Sequence, residues 1–233
     1  MITVNPQVVF TIFGIGIRDT VVSTWIMTAF LIGVAALIRK RRPALLEILF
    51  DFLNDLISEI LGRSAGNVLP FIGSLALFIF FANIIGIIPG LTTPTSDINT
   101  PIALALVVFM SVHIFGVLEK GFFEYFKELV TPIYLFPFEL IAQLTRTISL
   151  SVRLFGNMLS GDFLVAVIFS ILPFIVPLPL IGLHLFTGVL QAYIFTALST
   201  VYIAGAVLAN ATEGTVKPKS GEKNIPAKKV ERK

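Results

Sequence analysis

The sequence predicts an all-α polytopic membrane protein with five membrane crossings and an amphipathic helix on the cytoplasmic side. Of its 233 residues, 56% are hydrophobic and 13% are charged, whereas soluble domains carry about 25% charged residues. The mean hydropathy is +0.94, and several apolar stretches reach the roughly 20 residues that a spanning helix needs. Residues 1–209 are therefore expected to form a single transmembrane domain whose surplus apolar side chains face lipid.

The first elements lead from the external surface to the cytoplasm. Residues 1–19 contain an apolar run too short to cross the bilayer, so they are expected to lie at the surface. Residues 20–38 are long enough to cross, and they end against the basic run 39–42 (RKRR), which favours the cytoplasmic side. Residues 43–62 repeat polar side chains at steps of three and four, which predicts an amphipathic helix. Interfacial helices favour basic faces, so its acidic face is expected to be solvated or to contact protein.

Two further crossings are predicted around a polar loop. Residues 68–89 form the second crossing, in which Asn83 is expected to hydrogen-bond to another helix. The loop that follows carries Asp97 and neither Lys nor Arg, which predicts an external position. Residues 101–118 return to the cytoplasmic side, where His113 is expected to be a packed or snorkelling side chain rather than a ligand. An interfacial stretch follows this third crossing.

Two overlong apolar segments, residues 133–172 and 180–209, follow. A helix of about forty residues would extend roughly 60 Å, twice the hydrocarbon thickness, so the first segment must tilt or bend. Residues 173–179 (PFIVPLP) supply a break, and the two segments are predicted to form a long tilted hairpin. The last residues, 210–233, are rich in Lys, Pro and Gly and are expected to be a disordered cytoplasmic tail.

The distribution of Lys and Arg is consistent with this topology. Of the seventeen such residues, Arg18 falls on the external side and Arg146 and Arg153 lie within predicted crossings. The remainder fall on the side assigned to the cytoplasm. This asymmetry predicts an external N-terminus and a cytoplasmic C-terminus.

A polar stripe in the fourth predicted crossing is the main candidate site. A charged side chain at the bilayer centre costs roughly 2.5–3.5 kcal/mol on insertion scales, and Arg153 has no acidic residue three or four positions away. At about 100° per residue, other polar side chains share its face: Glu139, Arg146, Ser149, Asn157 and Ser160. This face is therefore expected to meet protein or a water-filled cavity. For Arg146, which has Glu139 nearby, a structural role and a functional role are equally open.

Titratable side chains lie on both sides of Arg153. Asp162 follows it towards the external end, and His184 lies early in the last predicted helix, so the two are expected at similar depth. Gln191 shares a face with His184, and Glu139 lies near the cytoplasmic start of the stripe. Asp, Glu and His exchange protons, whereas Arg stays protonated and cannot relay them. The pattern predicts two blind proton paths separated by Arg153, which need a carrier between them.

Several other functions are disfavoured by the sequence. The chain has no GxxxxGK[ST] loop for nucleotide phosphates and no cysteine, which excludes thiolate chemistry. A membrane-embedded hydrolase would need a nucleophile with a base or a metal cluster, but the two histidines lie in different predicted helices. No cofactor and no catalytic site are expected on this chain. The remaining alternative is a self-contained secondary transporter with Arg153 binding an anionic substrate, although no internal repeat is visible.

The segments SLSVRLFGNMLSGDF and LHLFTGVLQAYIFTALSTVYI, with ANIIGIIPG and the PTSDIN loop, closely resemble subunit a of F-type ATP synthases. The resemblance implies a non-catalytic subunit of the bacterial plasma membrane, with two offset half-channels that load and unload the carboxylates of a rotating c-ring. Ion flow would then be coupled to ATP synthesis on other subunits. The peripheral-stalk b subunits and membrane lipid are the other implied partners. Members of the family use H⁺ or Na⁺, so both ions remain open.

The resemblance also implies roles for residues at matching positions. Arg153 matches the family's essential arginine, which faces the ring carboxylate and prevents a proton short circuit. The other matching residues divide into four groups: Asn157 and Gln191 beside that arginine, Asp162 and His184 in the external half-channel, Glu139 and Ser149 in the cytoplasmic one, and Asp97 and Asn99 at the external entrance. The family often has Glu at the position of Asp162, which leaves a bridging water as one way for this shorter side chain to contact His184.

Overall fold

The structure, a computed structural model, describes residues 8–12, 15–41, 44–88, 91–130, 134–172 and 177–208. Within those ranges it contains two short strands and seven α-helices. They are β1 (Val8–Ile12), β2 (Ile15–Arg18), α1 (Asp19–Arg41), α2 (Ala44–Leu61), α3 (Val68–Ile84), α4 (Asn99–Lys120), α5 (Phe122–Val130), α6 (Phe136–Ile171) and α7 (Pro177–Leu208). The tail predicted to be disordered, 210–233, lies outside the described residues.

Four helices among the described residues are long and apolar enough to cross a membrane: α3 with the 3₁₀ turn that follows it, α4, α6 and α7. They correspond to the second, third, fourth and fifth predicted crossings, so the prediction of a multi-pass helical membrane protein is confirmed. Helix α1 covers the first predicted crossing, and the four long apolar helices named above do not include it. A fifth crossing therefore stays a prediction.

The strands β1 and β2 form an antiparallel hairpin directly before α1. This hairpin adds to the predicted helical architecture, because the sequence indicated only a surface segment here. Its last residue, Arg18, is paired with Val8 across the hairpin. The hairpin therefore places Arg18 at the start of α1, where its side chain reaches the loop between α3 and α4.

Helix α2 lies against the first part of α3 and the last part of α7. Leu53, Ile57 and Leu61 are buried in a cluster that also contains Ile72 and Ile203. Their spacing of four residues places them on one face of the helix. The charged residues lie on the rest of the surface and are exposed: Glu47, Asp51, Asp55 and Glu59.

The central packing joins α3, α4, α6 and α7 in one buried cluster. Its members are Leu75 and Ile79 of α3, Ala105 and Val108 of α4, Leu150 and Leu154 of α6, and Ala192 and Phe195 of α7. Three helices approach closely at Gly188, where an added Cβ would lie 3.1 Å from the Asn83 Cβ and 3.4 Å from the Met158 Cε. Such close approach at a small residue is typical of helix contacts within membranes.

The loop between α3 and α4 is folded into the helix bundle. Its 3₁₀ turn, Pro94–Ser96, contacts α6. Thr93, Thr95 and Asp97 are 4% exposed or less. The sequence predicted a polar external loop at this position but gave no sign that the loop is buried. Buried polar groups are costly unless they are hydrogen-bonded, so the partners of this loop determine how it is held.

The connection between α4 and α5 turns at Gly121, whose φ of 84° favours glycine. Helix α5 folds back so that Tyr125 is buried. The Tyr125 hydroxyl lies 2.7 Å from His113 Nδ1, and the His113 ring packs edge-on against Phe109. His113 is therefore a packed side chain, as the sequence predicted.

Helix α6 is 36 residues long, which corresponds to about 54 Å. It begins after Leu135 with a proline in its first turn, a position that proline tolerates well. Because about 30 Å of hydrocarbon is shorter than this helix, α6 must lie steeply tilted if it spans the bilayer along its whole apolar length. Helix α7 begins at Pro177, within the segment 173–179 that the sequence predicts as a break, and residues 173–176 lie outside the described residues.

Candidate functional site

Helix α6 has a buried apolar face and a separate polar face. The buried residues repeat at helical spacing: Leu150, Ser151, Leu154 and Met158. Every member of the predicted polar stripe is exposed or half-buried on this single chain. Because polar and charged groups are costly against lipid, the polar face needs water or another protein surface beside it.

Arg153 lies near the middle of α6 and its side chain is exposed. In the part of the chain that the structure describes, no ion pair or hydrogen bond involves its guanidinium. One turn further, Asn157 Nδ2 donates a hydrogen bond of 3.2 Å to the Thr187 carbonyl oxygen. Asn157 thus joins α6 to α7, while the exposed Arg153 is left available to a partner outside this chain.

Asp162 and His184 are in direct contact on the side of Arg153 that the sequence predicts to be external. The His184 Nε2 lies 3.3 Å from Asp162 Oδ1, and the two side chains are 13% and 28% exposed. No bridging water is needed, although Asp is shorter than Glu. Gly161 permits this arrangement, because a Cβ there would overlap the imidazole of His184. The two groups therefore form an ion pair whenever the imidazole is protonated.

Gln191 lies two turns along α7 from His184 and is only 4% exposed. Its Nε2 is buried without a hydrogen-bond partner among the described residues, as is Nδ1 of His184. Between them, the Gly188 carbonyl accepts a hydrogen bond of 2.8 Å from Asn83 Nδ2. Thr95 Oγ1 donates in turn to Asn83 Oδ1 at 2.7 Å. The predicted bond from Asn83 to another helix is thus present, but its link to the loop was not foreseen.

Asp97 is the centre of a hydrogen-bonded cluster at the end of the bundle predicted to be external, which we call the external clamp (Arg18, Thr20, Asp97 and Asn99). Arg18 Nη1 donates to both carboxylate oxygens of Asp97, at 2.9 and 3.1 Å. Thr20 Oγ1 donates at 3.1 Å, and Asn99 donates from its backbone at 3.2 Å and its amide at 3.0 Å. The whole residue Asp97 is only 4% exposed, so these donors replace water around its carboxylate.

The external clamp holds Asp97 ionised. Burial raises the pKa of Asp97, but the hydrogen bonds from Arg18, Asn99 and Thr20 and the charge of Arg18 outweigh burial, so the pKa lies below its usual value. Asp97 is therefore an anchor for the loop and not a group that carries protons at neutral pH. Arg18 and Thr20 were missed as partners because they lie 79 and 77 residues away in sequence. The only sequence signal for this pair was that Arg18 and Asp97 have opposite charges and are predicted to lie on the same side of the membrane.

Replacing Arg18 with Gln is expected to destabilise the assembled protein by about 1–2 kcal/mol, because a buried carboxylate loses its charged donor. The pKa of Asp97 is lower in the folded state than in the unfolded state. The ionised carboxylate of Asp97 therefore contributes its full stability at pH values above the unfolded-state pKa of about 3.9. This contribution is lost as the pH falls through the lower pKa of the folded state. The melting temperature of the purified complex should show a constant loss between about pH 5 and pH 8.

The matched control for this variant is Arg63→Gln. Arg63 pairs with Glu119, but both side chains are more than 40% exposed, and exposed pairs contribute only about 0–1 kcal/mol. We expect a smaller shift in melting temperature from this control. An Arg18→Gln protein as stable as the parent would show that the external clamp does not hold the loop.

A cavity of about 580 Å³ lies between α4, α5, α6 and α7 at the end of the polar stripe that the sequence predicts to be cytoplasmic. Glu139 and Arg146 line it, with Glu139 Oε1 4.0 Å from Arg146 Nη1. Gln143 Nε2 donates to Glu139 at 3.3 Å, and the Arg146 guanidinium lies 5.8 Å from the ring centroid of Tyr202. Arg146 therefore has structural partners on both α6 and α7. Ser149 is exposed and does not line this cavity.

The two titratable sites thus lie at opposite ends of the α6–α7 pair, with Arg153 between them. A family model described as ATP synthase A chain matches residues 20–204. The chain belongs to this family. The match includes Asp97, the polar stripe, His184 and Gln191, and it begins two residues after Arg18.

Curated relatives agree with the family match. ATP synthase subunit a 2 of a Bradyrhizobium species is 40% identical over 211 residues, which cover 87% of this chain and 95% of the relative. ATP synthase subunit a of Legionella pneumophila is 37% identical over 210 residues, covering 86% and 91%. ATP synthase subunit a 1 of Chlorobaculum tepidum is 42% identical over 198 residues, covering 80% and 89%. The self-contained secondary transporter has no comparable support.

Proposed function

We propose that this chain is the non-catalytic, proton-translocating subunit a of an F-type ATP synthase, with two offset half-channels that load and unload the carboxylates of a c-ring. Membership of the ATP synthase A chain family supports the subunit assignment. The main support for the ion path is the position of Arg153, which is an exposed cation near the middle of a 36-residue apolar helix. Titratable groups lie on both sides of it.

The external half-channel uses Asp162 and His184. Their contact at 3.3 Å places a carboxylate and an imidazole where a proton can pass between them, and both types of group exchange protons near neutral pH more readily than Arg. The nearby Gln191 contributes a buried amide nitrogen without a partner among the described residues. A proton delivered here would neutralise a ring carboxylate that faces α6 and α7.

Arg153 is the barrier between the half-channels. It remains protonated and cannot pass a proton on, and an opposite charge within about 4–6 Å lowers a carboxyl pKa. A ring carboxylate that faces Arg153 would therefore be ionised. Because an ionised carboxylate is costly against lipid, the ring can turn away from Arg153 only after that carboxylate has been protonated from the external side. Asn157 supports this position by joining α6 to α7.

The cytoplasmic half-channel begins at the cavity lined by Glu139. A ring carboxylate that completes its turn would release its proton near Ser149, whose exposed position on α6 suits contact with a ring rather than with this chain. The proton would then reach the cytoplasm by way of Glu139. The half-channels therefore open at opposite ends of α6, and ion flow requires rotation.

The proposed arrangement in the bacterial plasma membrane has five crossings, with α1 as the first, the N-terminus outside and the C-terminus in the cytoplasm. Helices α6 and α7 would form the tilted hairpin, since Arg146 lies over Tyr202 while Asp162 contacts His184, an antiparallel order of contacts. The exposed polar face of α6 would meet the c-ring. The peripheral-stalk b subunits are the other proposed protein partners, and Asp97 and Asn99 would lie beside the external entrance.

Vesicles that contain this chain without ring subunits test the proposal against a self-contained transporter. We expect proton flux no greater than that of lipid alone, because each half-channel ends at Arg153. Vesicles with the complete ATP synthase should pump protons on addition of ATP. Uptake of anionic solutes, or proton flux, by the chain alone would contradict the proposal.

A further inference from the structure

Two neighbouring carbonyl groups of α7 are held from two sides. The Thr187 carbonyl accepts from Asn157 of α6 at 3.2 Å, and the Gly188 carbonyl accepts from Asn83 of α3 at 2.8 Å. Consecutive residues of a helix lie about 100° apart around its axis. Bonds to both carbonyls therefore oppose rotation of α7 in either direction, directly beside His184.

The bond from Asn83 is closely specified by its surroundings. Asn83 is 3% exposed, so an amide without partners would be costly there. Its oxygen accepts from Thr95, which is 0% exposed. Gly188 allows the approach, since even an added Cβ would lie 3.1 Å from the Asn83 Cβ. The amide therefore has one orientation, with its nitrogen towards α7 and its oxygen towards the loop.

Thr95 in turn belongs to a segment that is held at both ends. Asp97 lies two residues further on, within the external clamp. On the other side, the Thr92 backbone nitrogen donates to Ser23 Oγ of α1 at 3.2 Å. The loop is thus tied to the start of α1, and Thr95 is its link to Asn83. A continuous set of hydrogen bonds runs from α1 through the loop to the backbone of α7.

We infer that Asn83, oriented by Thr95, is a positioning residue that fixes the rotation of α7 so that His184 meets Asp162. His184 lies one turn before Gly188, so a rotation of α7 that releases the Gly188 carbonyl would also move the imidazole. The consequence for ion uptake rests on the proposed function of Asp162 and His184. The positioning itself is a property of the fold and can be measured without transport.

The absence of cysteine from the chain allows a direct test in membranes that contain the whole ATP synthase. Asp162 and His184 are both changed to Cys, and the yield of the oxidised disulfide between them reports how α7 faces α6. The pair is combined with Asn83→Leu, which removes both hydrogen bonds, or with Thr95→Val, which removes only the bond that orients Asn83. Thr95→Ser keeps the hydroxyl. Thr28→Val is the matched control, because Thr28 bonds only within α1.

We expect the disulfide yield to fall several-fold with Asn83→Leu and with Thr95→Val, and to stay at the parental level with Thr95→Ser and Thr28→Val. Parental yield with both Asn83→Leu and Thr95→Val would overturn the inference. If the Asn83→Leu chain does not accumulate in the membrane, the Thr95→Val result decides alone.

A second readout uses chains that keep Asp162 and His184. With the cytoplasmic pH fixed, Thr95→Val should shift the external pH at which ATP synthesis is half-maximal, and Thr95→Ser should restore the parental value. An unchanged dependence on external pH would overturn the link to ion uptake. The disulfide yield does not depend on transport. It would therefore stay the same even if the proposed function failed, for example if the complex pumped protons without Arg153.

Discussion

An Arg153→Ala ATP synthase is expected to lose ATP-driven proton pumping and to leak protons passively. A cation 4 Å from a carboxylate favours the ionised form by about 4 kcal/mol at an effective dielectric constant of 20, which is roughly a thousandfold in the ionisation equilibrium. Without this bias a ring carboxylate could remain protonated between the half-channels. Protons could then pass without a full turn of the ring. Pumping and leak should be scored separately in inverted membrane vesicles.

Two variants separate this effect from a general loss of charge. Arg153→Lys keeps a cation but not the planar guanidinium, so it should leak less than Arg153→Ala while it pumps more slowly than the parent. Arg63→Ala removes an exposed cation paired with Glu119 and should pump normally. Sustained pumping by a fully assembled Arg153→Ala complex would mean that another group separates the two half-channels.

An Asp162→Ala complex is expected to make ATP at least tenfold more slowly, without a rise in passive leak. A positioned acid or base contributes typically about 10²–10⁴-fold to the rate of a proton transfer, and His184 would lose the partner that lies 3.3 Å away. Arg153 is still present in this variant, so the proposed barrier between the half-channels would remain. Slow synthesis without leak distinguishes a lost uptake group from a lost barrier.

The controls for this variant use other carboxylates. Asp162→Glu keeps the carboxylate and adds one methylene group, so it should retain most of the synthesis rate. Asp55→Ala removes an exposed carboxylate from α2, far from the α6–α7 contact, and should have little effect. A parental rate of ATP synthesis in Asp162→Ala membranes would remove Asp162 from the ion path.

The helices and the polar stripe could be predicted from the sequence because both depend on local spacing. Length and hydropathy located the four long apolar helices, and the helical repeat placed Arg153 and Asn157 on one face. The contact between Asp162 and His184 agrees with the predicted hairpin, which would bring residues at similar depth together. The direct contact of the Asp162 carboxylate with His184 depends on the close approach at Gly161, which helical spacing alone does not predict.

The buried loop and its partners could not be predicted, since they depend on contacts between distant parts of the chain. Arg18 and Asp97 are 79 residues apart, and neither residue type specifies the other. Thr95 is a common loop residue, and only the structure shows that it is fully buried against Asn83. The β-hairpin before α1 was also missed, because a short apolar run fits a strand and a surface segment equally well.

Thiol labelling from each side of the membrane tests the two half-channels most directly. The chain has no native cysteine, so Ser149→Cys and Asp162→Cys each introduce a single reporter into the subunit. An impermeant thiol reagent should modify Ser149→Cys only from the cytoplasmic face, in inverted vesicles, and Asp162→Cys only from the external face, in right-side-out vesicles. Modification of both positions from the same face, or of either position equally from both faces, would contradict two separate paths that end at Arg153.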